Sequence, residues 1–200
     1  MKPRIAIVDY GMGNLRSAYR GLEKGSAKPL ITDRVEEIEA SDAIVLPGVG
    51  AFEDAMANLY PLREVIIREA EKKPLLGICL GLQLLFTSSE EGEGEGLNLI
   101  RGRVVRLPSG VKIPHMGWNS IEVKRDSRLL DGIKSGDYFY FVHSYYALPE
   151  EDVVVATTSY GVEVPAIVEK GNVFATQFHP EKSGRLGLRL LKNFVDIARE

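Results

Sequence analysis

The sequence is poor in the residues that build covalent and metal frameworks. It has one cysteine, Cys79, and three histidines, His115, His143 and His179. A single cysteine closes no internal disulfide, which excludes a disulfide-stapled secreted scaffold and suits a reducing compartment. One thiol and three scattered imidazoles have no ligand spacing, so neither a metal site nor a cofactor is expected. No apolar run approaches the roughly 20 residues of a membrane span. The apolar part of MKPRIAIVDYG at the N-terminus is too short for a secretion signal. Neither sign of charge dominates, with 25 basic and 28 acidic residues giving a net −3. Nothing in that balance calls for nucleic acid or an anionic membrane as partner. The expectation is a cytoplasmic protein.

What is present is an ordinary globular composition, 44% hydrophobic over 200 residues, read as a single domain spanning 1–200. Short apolar runs, RIAIV (4–8), AIVL (43–46) and LLGI (75–78), each stop at a glycine-bearing turn and give way to a helical stretch, amphipathic in the first case. That alternation predicts βαβ units and a parallel sheet covered on both faces. After about residue 97 the pattern changes to successive strands. LNLIRGRVVRL, NSIEVK, DYFYFVHSYYAL, VVVATTSY and VPAIVEKGNVFATQF follow one another, with a hairpin signal at Gly171-Asn172. A closing helix from about Ser183 carries the apolar stripe Leu186, Leu190, Leu191, Phe194, Val195 and Ile197. The fold class is therefore α/β: an open, largely parallel mixed sheet with helices on both faces. SSEEGEGEG (88–96) reads as a flexible acidic loop.

The lone cysteine sits in GICLG, between Gly77 and Gly81, where a strand ends and a helix begins. This is the cysteine form of a nucleophile elbow, a turn so sharp that its flanks tolerate almost no side chain. A thiol there projects into the crevice at the strand ends, at a helix mouth that favours the anion. A buried packing cysteine is the bland alternative, and it needs neither glycine. TQFHPEKS supplies His179 and Glu181, separated by Pro180. Proline pushes its predecessor toward extended geometry, in which residues two apart point the same way. Glu181 is thus expected to orient one imidazole nitrogen while the other meets the thiol, completing a nucleophile–base–orienter set.

LPGVG (46–50) ends another strand. Its glycines free the backbone to turn an N–H toward the crevice, and main-chain donors of Val49, Gly50 and Leu80 are the expected oxyanion hole. GMGNLR (11–16) starts like a dinucleotide fingerprint but has Arg16 in place of the third glycine. Asn14 in that stretch serves equally as a helix cap. The aromatic run YFYFVHSYY and Trp118 are readable as ordinary core.

These motifs together resemble a known family. GICLGLQLLF around Cys79 and QFHPEKS around His179 are similar to the triad (class I) glutamine amidotransferases, whose fold is flavodoxin-like. DYGMGNLRS, LPGVGAF, HMGWN and YFVHSYY narrow the resemblance to the glutaminase subunits of imidazole glycerol phosphate synthase. It runs from about Ile5 to the last helix, with Leu82 where many relatives have methionine. The resemblance implies that Cys79 attacks the side-chain amide of glutamine. His179 then protonates the departing ammonia and activates the water that hydrolyses the thioester. It also implies substrate contacts from Gly48, Gln83, Ser144, Tyr145 and Glu91, the last with Glu90 as a close competitor. The implied partner is the cyclase subunit, a (β/α)8 barrel forming a heterodimer, which receives the ammonia. Asn14, Trp118, Tyr140 and Lys182 match partner-facing positions. Two alternatives stay open: the glutaminase of another amidotransferase complex, and a cysteine hydrolase on the same elbow. Because hydrolysis without an acceptor wastes glutamine, the isolated chain is expected to be nearly inactive, with LPGVG in a non-productive orientation until the partner docks.

Overall fold

A computed structural model describes all residues, Met1–Glu200. Along the first half run β1 (Arg4–Val8), α1 (Leu15–Lys24), β2 (Lys28–Thr32), α2 (Val35–Glu39), β3 (Ala43–Gly48), α3 (Phe52–Leu59), α4 (Arg63–Ala70), β4 (Leu75–Cys79) and α5 (Leu80–Leu84). The second half adds β5 (Ser88–Ser89), β6 (Gly102–Arg106), β7 (His115–Ser120), β8 (Glu122–Val123), β9 (Tyr138–His143), β10 (Tyr145–Pro149), β11 (Val154–Ser159), β12 (Glu163–Lys170), β13 (Val173–Thr176) and α6 (Gly184–Ile197). No helix is long and apolar enough to cross a membrane.

Eight strands form the main sheet in the order β2-β1-β3-β4-β13-β12-β11-β8. The five from β2 to β13 are parallel, and β12, β11 and β8 extend the sheet antiparallel. The hairpin turn at Gly171-Asn172 lies where the sequence placed it, between β12 and β13. Side chains alternate across the sheet with the two-residue period of a strand. On β1, Ile5 and Ile7 join the core under α1 and α6, while Ala6 and Val8 join the core under α2 to α5. The two cores hold 27 buried residues each, so the sheet is covered equally on both faces, which is why its strands are apolar throughout.

The five remaining strands form two small sheets instead of extending the main one. β10, β6 and β5 make one; β7 and β9 make a two-stranded antiparallel ribbon. The aromatic run read as a single strand breaks at Ser144, so that β9 pairs with β7 and β10 with β6. Period-two patterning marks which residues share a face; it does not say which strand they pair with. The acidic stretch 88–96 also departs from the expectation of a free loop. Ser88 and Ser89 pair with β6, Glu90 accepts the N–H of Arg106, and Glu91 accepts the N–H of Phe52. The carboxyl ends of β3, β4 and β13 open at one edge of the main sheet, and the site lies there.

Candidate active site

Cys79 is the last residue of β4 and adopts φ 55°, ψ −109°. A non-glycine residue is held in that left-handed region only when its surroundings over-determine it. The surroundings here are the two glycines. A Cβ on Gly81 would lie 1.8 Å from the carbonyl oxygen of Leu46, inside β3, and one on Gly77 would lie 2.8 Å from the carbonyl oxygen of Gly81. Strand and helix are pressed together around the turn, and the thiol is left at the mouth. The helix that follows, α5, is one turn long and buried along its whole length.

A crevice of about 520 Å³ opens over the thiol. Val49, Gly50 and Leu80 border it, as do Gln83, Glu91, Ser144, Tyr145 and His179. Asn14 and Lys182, expected to face a partner, border it too. Gly48, expected at the substrate, is not on the wall. It pairs with Cys79 across β3 and β4 and is sealed beneath the elbow, where a Cβ would come within 2.6 Å of Tyr10 Oη and 2.9 Å of Leu80 Cβ.

His179 follows β13, and its Nδ1 lies 2.7 Å from Glu181 Oε1, both side chains being almost wholly buried. His179 itself is extended (φ −96°, ψ 98°), as proline after it requires, but Pro180–Lys182 form a single 3-10 turn. The carboxylate therefore returns to the ring by a turn, where an extended chain was expected. The other ring nitrogen, Nε2, is buried and makes no hydrogen bond, as is Glu181 Oε2. Burial alone would lower the imidazole pKa. The sulfur of Cys79 and the carboxylate of Glu181 outweigh it and push the value up to about 10, so the ring carries its proton at neutral pH.

The sulfur has two further neighbours. Gln177 Nε2 lies 3.8 Å from Sγ, and the carbonyl oxygen of Val142 lies 3.7 Å from it. Gln83 donates to Gln177 Oε1 (3.3 Å) and to the carbonyl of Tyr145 (3.1 Å). Both amide hydrogens of Gln83 are thus engaged, which leaves only its Oε1 for a ligand. Glu91 keeps a carboxylate on the cleft wall, its pKa raised by burial against the lowering effect of the Phe52 N–H. Glu90 is turned away to Arg106.

Sequence reasoning missed Gln177, Tyr10 and the two histidines beside the cleft. Gln177 stands in the same TQFHPE stretch as His179, two residues upstream, and is completely buried. A buried glutamine directly after an apolar strand signals a polar network. Tyr10 is buried and donates from Oη to the carbonyl of Pro47, tying the β1–α1 turn to the strand end that carries Val49 and Gly50. Asn14 stands at the helix start, but its side chain does not cap α1, and its Nδ2 is buried without a partner.

Trp118 and Tyr140 lie off the cleft, paired across β7 and β9 with ring centroids 6.1 Å apart. Met116, Trp118 and Tyr138 on the same face of that ribbon are exposed. His115, Phe139, Phe141 and His143, on its other face, are buried.

The sequence matches the glutamine amidotransferase class-I family over residues 6–198. It is 57% identical over 197 residues to the imidazole glycerol phosphate synthase subunit HisH of Methanothermobacter thermautotrophicus, covering 98% of this chain and 99% of that one. To the subunit of the same name from Natronomonas pharaonis it is 55% identical over 206 residues, covering 98% and 95%. Among solved structures, PurLQS from Thermotoga maritima superposes with a TM-score of 0.77 at 25% identity, covering 98% of this chain and 99% of that one. The chain belongs to the class-I glutamine amidotransferases, among the HisH subunits of imidazole glycerol phosphate synthase.

Proposed function

We propose that Cys79, His179 and Glu181 hydrolyse glutamine to glutamate and ammonia, and that the ammonia feeds the cyclase subunit of imidazole glycerol phosphate synthase in histidine biosynthesis. One observation carries the reading: a strained thiol shares a cleft with an imidazole locked to a buried carboxylate. Sγ attacks the side-chain carbonyl carbon of glutamine as a thiolate, forming a tetrahedral oxyanion. Main-chain N–H groups of Leu80 and of Val49 or Gly50 receive that oxygen, each donor worth roughly 3–4 kcal/mol of barrier. The imidazolium of His179, protonated at neutral pH, gives its proton to the departing nitrogen, the C–N bond breaks, and a glutamyl thioester remains. The neutral ring then takes a proton from water, which attacks the thioester. The C–S bond breaks, and glutamate leaves. Glu181 keeps Nδ1 protonated and the ring oriented throughout.

The substrate is held by Oε1 of Gln83, the carboxylate of Glu91, and main chain at Ser144 and Tyr145. Partner docking is assigned to the exposed face of β7 and β9, with Trp118 and Tyr140 as anchors and Asn14 and Lys182 at the cleft side. An exposed aromatic cluster rimmed by polar groups is the kind of surface that buries well against a second protein. Lone hydrolysis has no purpose, so the cytoplasmic complex is the working unit. The test is glutaminase rate for the chain alone, with a cyclase subunit, and with cyclase plus acceptor ligand. The reading expects little activity alone and strong stimulation in the complex. Full activity in the isolated chain removes the gating, and no glutamine hydrolysis in the complex removes the function.

A further inference from the structure

Two of the three histidines take no part in the chemistry above, yet both are buried beside it. His115 and His143 face each other across β7 and β9. His115 Nδ1 lies 3.0 Å from His143 Nε2, and His143 Nδ1 lies 2.8 Å from the carbonyl oxygen of Tyr145. At the far end, Asn119 Nδ2 lies 3.4 Å from His115 Nε2 and donates to the carbonyl of Ser159 at 3.0 Å.

The ends of this chain force its direction. A carbonyl only accepts and an amide NH₂ only donates. His143 must therefore carry its proton on Nδ1 and donate to Tyr145. Its Nε2 then accepts from His115, which also carries its proton on Nδ1 and accepts from Asn119 at Nε2. Each neutral ring makes one donation and one acceptance, and a second proton on either would set two donors against each other. Phe141 and Tyr160 both stack on His115, with centroids 5.0 and 3.8 Å from it.

The receiving end is functional. The Tyr145 carbonyl also accepts from Gln83, and Ser144, Tyr145 and Gln83 all border the cleft. We propose that the His115–His143 pair is a positioning element: its fixed-tautomer hydrogen-bond chain holds the Ser144–Tyr145 turn, and through the Tyr145 carbonyl Gln83, in the geometry that receives glutamine. The proposal rests on the glutaminase reading and adds the residues that shape its substrate wall.

The titratable groups that face the pair are Tyr160 over His115, His179 beyond the end of β13, and Cys79, Glu91 and Lys182 on the cleft walls with His143. Burial, together with the charges of His115 and His179, takes His143 down to about 4 despite its bond to Tyr145, and burial lowers His115 as well. Burial and the hydrogen-bond chain thus both disfavour a second proton on either ring.

Two measurements test this. Long-range proton–nitrogen correlation spectra of the full chain, with imidazole nitrogens labelled, are expected to show both rings as Nδ1–H tautomers, with His143 not titrating between about pH 5.5 and 8 and His115 titrating below the ordinary imidazole value. An Nε2–H tautomer, or titration near the ordinary value, at either ring overturns the proposal. In the complex with the cyclase subunit, His143→Phe is expected to raise KM for glutamine about tenfold while kcat changes less than about threefold. His143→Asn, whose amide can donate from the Nδ1 position, is expected to bring KM back within about threefold of the wild type. An unchanged KM in His143→Phe, or equal loss in both variants, sinks the positioning role. If His143→Phe does not fold, His115→Phe and His115→Asn make the same comparison one ring farther from the cleft. Failure of the wild-type complex to hydrolyse glutamine would instead strike the function, and the spectra would still decide the chain.

Discussion

The main-chain N–H of His179 donates to the carbonyl of Tyr140 at 2.9 Å. Ser183 fastens the same junction, its Oγ donating to the carbonyl of His179 at 2.6 Å and accepting from Tyr140 N–H at 2.9 Å. The ribbon whose outer face is proposed for docking is thus hydrogen-bonded directly to the segment that carries the proposed catalytic imidazole. On the proposed reading, partner binding and catalysis meet at one edge of β9.

Trp118→Ala is expected to weaken the complex by about 2 kcal/mol or more, some thirtyfold in Kd, because a central exposed aromatic is the usual anchor of such surfaces. Titration calorimetry with the cyclase subunit measures it. The fold should barely notice, since Trp118 is 55% exposed, and thermal unfolding provides that control.

Cys79→Ala is expected to reduce glutamine-dependent product formation by at least about 10³-fold, as loss of a covalent nucleophile does elsewhere. The cyclase subunit supplied with ammonium salt should keep its rate in the same mixture. Undiminished glutamine-dependent synthesis with Cys79→Ala would remove the thiol from the mechanism.

Glu181→Gln is expected to lower kcat by roughly 10²–10⁴-fold through loss of ring orientation. It also has a signature in stability. The pKa of His179 lies above its ordinary 6.5, so the stabilisation is present in full below that pH and drains away as pH rises toward 10. Wild-type denaturation midpoints should therefore fall between about pH 7 and 10 more steeply than those of Glu181→Gln. Parallel curves for the two proteins would show that the carboxylate contributes nothing to the raised pKa.

Gly81→Ala is expected to cost more than about 3 kcal/mol, since its methyl group would have to displace the backbone of β3 itself. Gly94→Ala, with positive φ but nothing within 4 Å, is expected to cost only about 1 kcal/mol. Equal losses in urea titrations would mean that close approach at the elbow is not what excludes a side chain there.

Much of this was legible before any coordinates. β1 falls on RIAIV, the three strand–turn–helix units stand where apolar runs meet glycines, and the stripe on α6 is buried apart from the partly buried Leu186. Those features depend on spacing within a few residues, and so does the closeness of His179 to Glu181, which are bound by one turn of chain. Cys79 in its glycine frame belongs with them, because steric exclusion at a sharp turn is written in the neighbours themselves.

The sequence alone therefore determined the parallel sheet, the strained thiol and the imidazole–carboxylate pair, all set by local sterics and periodicity. Only tertiary structure decided which distant residues meet them. Gln177 reaches the sulfur across 98 positions, and His115 reaches His143 across 28. It sank Gly48 beneath the elbow and split the aromatic run at Ser144 between two sheets. Strand partners are chosen by packing over the whole core, and an apolar pattern of period two is compatible with many of them.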